Sequence, residues 1–187
     1  MRVISGAVRG RRLKAPPGRL ARPTADRVKE AVFNLLGGAW EGARVLDLFA
    51  GSGALGIEAL SRGAAHCTFV DGDRLCAAVI RENLQLCGLV EKAAVVRGSA
   101  LRFLQRRPKG VFDVIFADPP YQKGLASDCF KVLDRRRCLG NHGRFVVEHS
   151  RREAIPSEGD VLRLLDRRGY GDTRISVFGC KEKLEEA

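Results

Sequence analysis

No two of the six cysteines, at positions 67, 76, 87, 129, 138 and 180, stand two to four residues apart. A zinc ribbon or an iron–sulfur cluster needs such close pairs, so neither is expected. The histidines, His66, His142 and His149, are scattered as well and leave no metal-binding set. Most of the cysteines fall inside apolar patterns, where a thiol behaves as a small hydrophobe. Reduced thiols are the expectation. Long apolar runs are missing too: the longest are strand-sized, and Met1–Gly6 lacks the extended apolar region of a secretory leader. No membrane segment is expected, and the cytoplasm is the expected compartment. No repeat, low-complexity tract or linker divides the 187 residues, a length that suits one domain with a full core.

Charge, by contrast, is plentiful and one-sided, with a formal net of +11 at pH 7. Residues 1–44 carry ten Arg or Lys against only Asp26, Glu30 and Glu41, which places a surplus of seven in under a quarter of the chain. Such concentration favours a surface for a polyanion. The alternative is a basic face kept only for solvation. Arg135-Arg136-Arg137 reads as the solvated end of a helix.

Residues 2–4 and 11–15, around Gly6 and Gly10, read as paired extended segments, and Gly and Pro at 16–18 as a turn. Thr24 suits the N-cap of a helix over Ala25–Leu36, with Val28, Val32, Leu35 and Leu36 on one face and Gly37-Gly38 at its end. On that helix Asp26 and Glu30, four apart, can pair with neighbouring Arg27 or Lys29 on the exposed surface. From Arg44 onward strands read at 44–49, 67–71, 93–97, 112–117 and 143–149, and helices at 54–63, 73–87, 99–107 and 124–137. This alternation predicts an α/β fold with a parallel sheet covered on both faces. Val161–Arg167 and Thr173–Phe178, on either side of Gly169-Tyr-Gly-Asp172, read as a closing antiparallel hairpin. Residues 1–40 form a basic extension rather than an independent domain, 41–180 the main domain, and 181–187 a charged tail.

Asp118-Pro119-Pro120-Tyr121 follows the apolar run 111–117, which reads as a buried strand. The prolines fix φ and remove two backbone donors, so nearby carbonyls can face a ligand without competing N–H groups. Asp118 and a carbonyl can then accept both hydrogens of an exocyclic NH₂, while Tyr121 offers a face for stacking. The competing reading is a proline-rich turn with Tyr121 a core aromatic whose hydroxyl is satisfied. The tetrapeptide resembles the signature of the amino-methyltransferases.

Val45-Leu-Asp-Leu-Phe-Ala-Gly51-Ser-Gly53-Ala-Leu-Gly56 places G-x-G-x-x-G between a strand and a helix, a device shared by nicotinamide, flavin and S-adenosylmethionine enzymes. Asp47 discriminates among them. An acid there suits the ammonium of S-adenosylmethionine and would repel a pyrophosphate. Phe49, Gly51 and Gly53 complete this segment as cofactor contacts. Asp71, at a strand end twenty residues after Gly51, is placed for ribose hydroxyls, whereas Asp73 can serve as the N-terminal acid of the next helix. Ser99 stands where similar methyltransferases commonly carry an Asp for the adenine amine, and a backbone amide near Ala100 or Leu101 can serve adenine N1.

Arg22-Pro-Thr-Ala-Asp-Arg-Val-Lys-Glu30-Ala-Val-Phe-Asn34, preceded by Ile4-Ser-Gly and Arg9-Gly-Arg11, together with Tyr170-Gly-Asp-Thr173, resembles the bacterial 16S rRNA guanine-N2 methyltransferases of the RsmD type. The resemblance runs from residue 2 to about 179 in one motif order. It implies a class I, Rossmann-like methyltransferase with a seven-stranded, mostly parallel sheet, a C-terminal antiparallel hairpin and a short basic N-terminal extension. It implies S-adenosylmethionine as cofactor, with Arg22 and Thr24 at its methionine end, and no metal. It implies a guanine of 16S rRNA, within the 30S subunit, as substrate, with Asp118–Tyr121 catalytic. Arg9, Arg11, Arg12 and Lys14 are expected on RNA phosphates, and a monomer is expected. The family more often carries Glu at the position of Asp71. Competing readings are a DNA adenine-N6 methyltransferase, a non-catalytic RNA-binding or assembly factor, and a nicotinamide dehydrogenase.

Overall fold

The computed structural model describes residues 1–17, 23–38, 40–106 and 111–181, with the backbone alone for 23–27. The elements run α1 (Pro23–Leu36), β1 (Arg44–Leu48), α2 (Ala54–Ser61), β2 (His66–Asp71), α3 (Arg74–Cys87), a 3₁₀ turn (Val90–Lys92), β3 (Ala93–Arg97), α4 (Ala100–Gln105), β4 (Phe112–Ala117), α5 (Leu125–Arg136), β5 (Leu139–Ser150), β6 (Leu162–Tyr170) and β7 (Thr173–Cys180). The strands form one sheet in the order β3-β2-β1-β4-β5-β7-β6. β1 to β5 pair in parallel, and β7 runs antiparallel to both β5 and β6. A dinucleotide-binding sheet places its sixth strand directly beside the fifth. Here β7 is inserted between them.

The central strands are apolar on both faces because helices cover both. Along β4, Val114 and Phe116 enter one core with Val32, Phe33, Ile57, Phe69 and Ile80. Ile115 and Ala117 enter the other, with Leu48, Leu104, Phe130, Phe145 and Phe178. α1 docks through aromatic contacts, its Phe33 ring lying 4.9 Å from Trp40 and 5.7 Å from Phe116.

Several boundaries differ from the sequence expectation. α1 begins at Pro23, so Thr24 lies inside the first turn rather than at the N-cap; proline suits the first helical position because it has no N–H to leave unpaired. β5 starts at Leu139, not 143. Its glycine-rich start has no strand pattern, and pairing of Leu139 with Phe112 holds it extended. β6 continues to Tyr170, which pairs with Thr173, so the hairpin closes through only Gly171-Asp172.

Residues 1–14 are stitched to the body. Arg2 and Arg12 bridge in antiparallel fashion, and Val3 and Leu13 enter the core beside α1 and α2. Gly6, at φ 86°, lies so close to α2 that a Cβ would collide with the Ser61 carbonyl. Glu58 of α2, fully buried, accepts from the backbone N–H groups of Ile4 and Ser5 at 2.8 and 2.9 Å. Its charge is met by Lys29 at 3.2 Å and Arg62 at 3.0 Å. Lys29 is therefore not a surface partner for its helix neighbours: only 3% exposed, it also donates to the Arg2 carbonyl and ties three segments together. Glu30 stays exposed, and the Asp26 side chain lies outside the described residues.

Candidate active site

β1, β2, β3 and β4 all end at one edge of the sheet, and the expected ligand residues gather there. Gly51 to Gly53 leave β1 in a tight loop that opens α2. At Gly56 a Cβ would collide with the Phe69 ring and Cys67 Sγ, so only glycine lets the helix press this closely on β2. Asp47 lies beneath the loop, 2% exposed, and accepts from Gly56 N–H at 2.9 Å. Burial pushes its carboxyl up from 3.8 to about 8, the Gly56 N–H opposes this, and the charges of Asp118 and Asp71 add to it. Three acids thus converge where a cation would be welcome.

Asp71 ends β2 and is nearly as buried. Gly51 N–H donates to one carboxylate oxygen and Asp73 N–H to the other, each at 2.8 Å. Asp73 instead caps α3 by accepting from Leu75 N–H at 2.7 Å. Beside Asp71 opens a cavity of about 250 Å³ lined by Phe49, Val70, Gly72, Gly98, Ser99, Ala100, Leu101 and Leu125. Apolar walls with one carboxylate at the rim suit the ribose and base of a nucleoside. Phe49 holds φ 56°, a conformation that costs a bulky residue of order 1–3 kcal/mol and that clusters at functional sites. Ser99 caps α4, accepting from Arg102 N–H at 3.4 Å, and still faces the cavity.

Asp118-Pro-Pro-Tyr121 follows β4 at the centre of this edge. Asp118 is exposed, and its N–H reaches the Leu48 carbonyl at 3.4 Å, which pins the motif to the strand feeding the glycine loop. Pro119 is buried and Pro120 exposed. Tyr121 is half-buried, and its hydroxyl donates to Glu148 Oε1 of β5 at 2.7 Å and meets Thr173 Oγ1 of β7, also at 2.7 Å. The satisfied hydroxyl of the competing reading is therefore present, at the edge of the sheet rather than in its core. Burial first, then Glu148 and Asp118, push the phenol far above its ordinary range, against the Thr173 bond.

The structure thus brings Asp47, Phe49, Gly51, Gly53, Asp71, Ser99, Ala100, Leu101 and Asp118–Tyr121 to one edge. Arg22 lies outside the described residues, as does the side chain of Thr24. Arg9, Arg11 and Arg12 are exposed on the N-terminal segment, while Lys14 is paired with Glu82 at 3.0 Å. Glu148 and Thr173 escaped the sequence reading; the Tyr170–Thr173 motif was visible, but not its contact with Tyr121. All six cysteines are free thiols. Among the described residues no helix is long and apolar enough to cross a membrane, and no cluster of His, Cys, Asp or Glu could hold a metal.

A Rossmann-like sheet with an antiparallel strand inserted near its end, a glycine loop over a buried acid and Asp-Pro-Pro-Tyr at the next strand end define a class I methyltransferase. A family model described as Conserved hypothetical protein 95 matches residues 1–179. The Bacillus subtilis (strain 168) protein YlbH, provisionally named an rRNA methyltransferase, is 42% identical over 181 residues, 95% of this chain and 98% of that one. Ribosomal RNA small subunit methyltransferase D of Escherichia coli (strain K12) is 38% identical over 158 residues, 84% of this chain and 78% of that one. The solved structure of yhhF from Escherichia coli, provisionally described as a methyltransferase, superposes with a TM-score of 0.83 at 34% identity, covering 97% and 98% of the two chains. The chain belongs to this family, the RsmD-type methyltransferases.

Proposed function

We propose that the protein methylates the exocyclic N2 amine of a guanine in small-subunit rRNA, acting on 16S rRNA in 30S particles as a cytoplasmic monomer. The observation that carries the reading is the placement of Asp118–Tyr121 at the end of β4, beside the glycine loop and its acids and pinned to β1. The relatives named for ribosomal RNA small-subunit methylation support the substrate class. S-adenosylmethionine is the cofactor, and when bound it supplies a methyl group already activated on a sulfonium. Asp71, Phe49, Ser99, Ala100 and Leu101 would hold its nucleoside, and Asp47, protonated near neutral pH in the empty site, would ionise as the cofactor's cationic end settles above it.

What the chain itself must do is prepare the acceptor. The N2 lone pair is delocalised into the guanine ring and is a poor nucleophile. The Asp118 carboxylate and the Asp118 or Pro119 carbonyl accept the two N–H bonds and favour a pyramidal nitrogen whose lone pair points into the cofactor site. Positioning of this kind can supply roughly 7–11 kcal/mol. Asp118 also stabilises the positive charge that develops on N2. The alkylated amine is strongly acidic, so its proton leaves without a strong general base. Because N2 is hidden in a paired, stacked base, the guanine is unstacked onto the Tyr121 ring.

The test incubates the protein and methyl-labelled S-adenosylmethionine with undermodified 30S subunits, free 16S rRNA and duplex DNA, followed by digestion to nucleosides. Label in N2-methylguanosine from the ribosomal pools is expected. The Asp118→Ala protein should bind cofactor normally in calorimetry and lose about a hundredfold or more of the rate. Label confined to N6-methyladenine in DNA, or full turnover by the variant, would overturn the reading.

A further inference from the structure

Beyond the catalytic motif, the same edge of the sheet continues across β5, β7 and β6. A second cavity opens there, about 500 Å³ in volume and lined by Arg151, Arg167, Gly169, Gly171 and Arg174. Every side chain in that lining longer than a hydrogen is an arginine, and no carboxylate lines it among the described residues. Strand register explains the gathering. Arg167 of β6 faces Ser176 of β7, and Gly169 faces Arg174, so Arg167 and Arg174 share one face of the ladder. Glycine opposite Arg174 leaves room above the strand. Arg151 follows β5, and its N–H is fixed at 2.8 Å to the Asp172 carbonyl in the closing turn.

Arg167 is held in place from below. Its Nε donates to Ser176 Oγ at 2.9 Å, and a terminal nitrogen reaches the Ile155 carbonyl at 3.5 Å. Ser176 Oγ lies 2.9 Å from Nε2 of buried His149, whose Nδ1 lies 3.0 Å from the Ser150 carbonyl. One proton assignment satisfies the whole chain. Nδ1–H donates to Ser150, the serine hydroxyl donates to Nε2, and the serine oxygen accepts from Arg167. This assignment uses a neutral imidazole, in keeping with burial first, then the nearby arginines, which hold the His149 pKa below its ordinary value. Buried polar groups are thus used to orient one cation toward two others. Like charges so grouped repel, and a shared anion relieves them.

We infer that this arginine cavity binds a backbone phosphate of the RNA strand that carries the target nucleotide. Arginine's planar fork matches a phosphate bidentately, which distinguishes this lining from a merely solvated basic face. The position fits as well. β7 is two strands from β4, roughly 10 Å at the usual strand spacing, so a strand with its base at Asp118 passes within a few nucleotides of the cavity. Thr173, which holds the Tyr121 hydroxyl, is the residue before Arg174, so the two side chains leave opposite faces of β7 at the same end of the strand. The inference rests on the RNA reading above, because only a nucleic-acid substrate brings such a phosphate.

The experiment measures rRNA affinity and methylation KM between 50 and 200 mM salt for the wild-type protein and for Arg174→Gln, Arg151→Gln and Lys92→Gln. Lys92, exposed at the opposite end of the sheet, controls for net charge alone. Arg167 is left intact because its bonds to Ser176 and Ile155 also serve the fold. Either arginine variant should raise KM, and the fall in affinity across that salt range should be about threefold smaller for each arginine–phosphate pair removed. Cofactor affinity and melting temperature should match wild type, and Lys92→Gln should behave as wild type. Arginine variants indistinguishable from Lys92→Gln, while the wild type methylates rRNA, would overturn the phosphate site and leave the RNA reading standing. A wild-type protein that methylates no RNA would remove both.

Discussion

Tyr121 shows how one side chain can join two halves of a site. With its phenol kept protonated, the hydroxyl donates to the Glu148 carboxylate and accepts from Thr173 Oγ. The ring is thereby fixed against β5 and β7 while the chain before it belongs to β4. Tyr121→Phe keeps the stacking face and removes both bonds. Losing a hydrogen bond to a charged group costs about 1.5–3 kcal/mol, so kcat for rRNA should fall about tenfold or more. Cofactor affinity should not change, because neither Glu148 nor Thr173 lines the nucleoside cavity. Single-turnover methylation alongside a cofactor titration separates the two, and an unimpaired Phe variant would mean that the ring alone matters. The aromatic was legible in the sequence because two prolines precede it. Its partners were not, since Glu148 and Thr173 lie 27 and 52 residues away and only the sheet order brings them near.

At the scale of elements, β1, the glycine loop and α2 form a unit whose buried charge concentrates on Asp47. The carboxyl is pushed from 3.8 to about 8, so folding takes up a proton there near neutral pH. A raised folded pKa contributes stability at low pH that is lost as pH climbs from about 4 through about 8, and nothing further changes above that. Asp47→Asn keeps an acceptor for Gly56 N–H and removes the titration. In the cofactor-free protein the variant's gain in melting temperature over wild type should therefore grow between pH 4 and 8 and then level off. An offset independent of pH would show that Asp47 is ionised throughout in the folded state. The elements themselves were largely readable. β1, β2 and β4 are short apolar runs, and Asp73 and Ser99 cap the helices they precede. The start of β5 was unreadable because Leu139-Gly-Asn-His-Gly carries no alternation, and only its pairing with β4 makes it a strand. The hairpin turn was read too wide for the opposite reason: Gly169 and Gly171 both signal a turn, and only Gly171 makes one, at φ 61°.

Across the whole molecule, sequence reasoning saw the basic N-terminal segment as an RNA surface and missed how deeply it is built in. Nothing local marks Lys29 as buried or Glu58 as its partner, because amphipathic spacing places a lysine on the wet face and three segments must fold before the pair exists. The same is true of the arginine cavity, assembled from residues on β6, β7 and the end of β5. Deletion of residues 1–14 distinguishes a removable arm from a structural strap. It would uncover the site where Val3 and Leu13 pack and leave buried Glu58 without the N–H groups of Ile4 and Ser5. It would also strip Asn83 of its two bonds to the Lys14 backbone, at 2.8 and 3.0 Å. Burying two aliphatic side chains is worth about 3–6 kcal/mol, which for a chain of this size corresponds to a melting temperature lower by on the order of 10 °C. Replacing Arg9, Arg11 and Arg12 together by glutamine keeps those buried contacts, and should leave the melting temperature near wild type while weakening rRNA binding. A truncated protein that melts like the full chain and loses only RNA affinity would show that the segment serves the substrate alone. A truncated protein that melts early and also binds cofactor poorly would mean that the strap holds α2, and through it the glycine loop, in place.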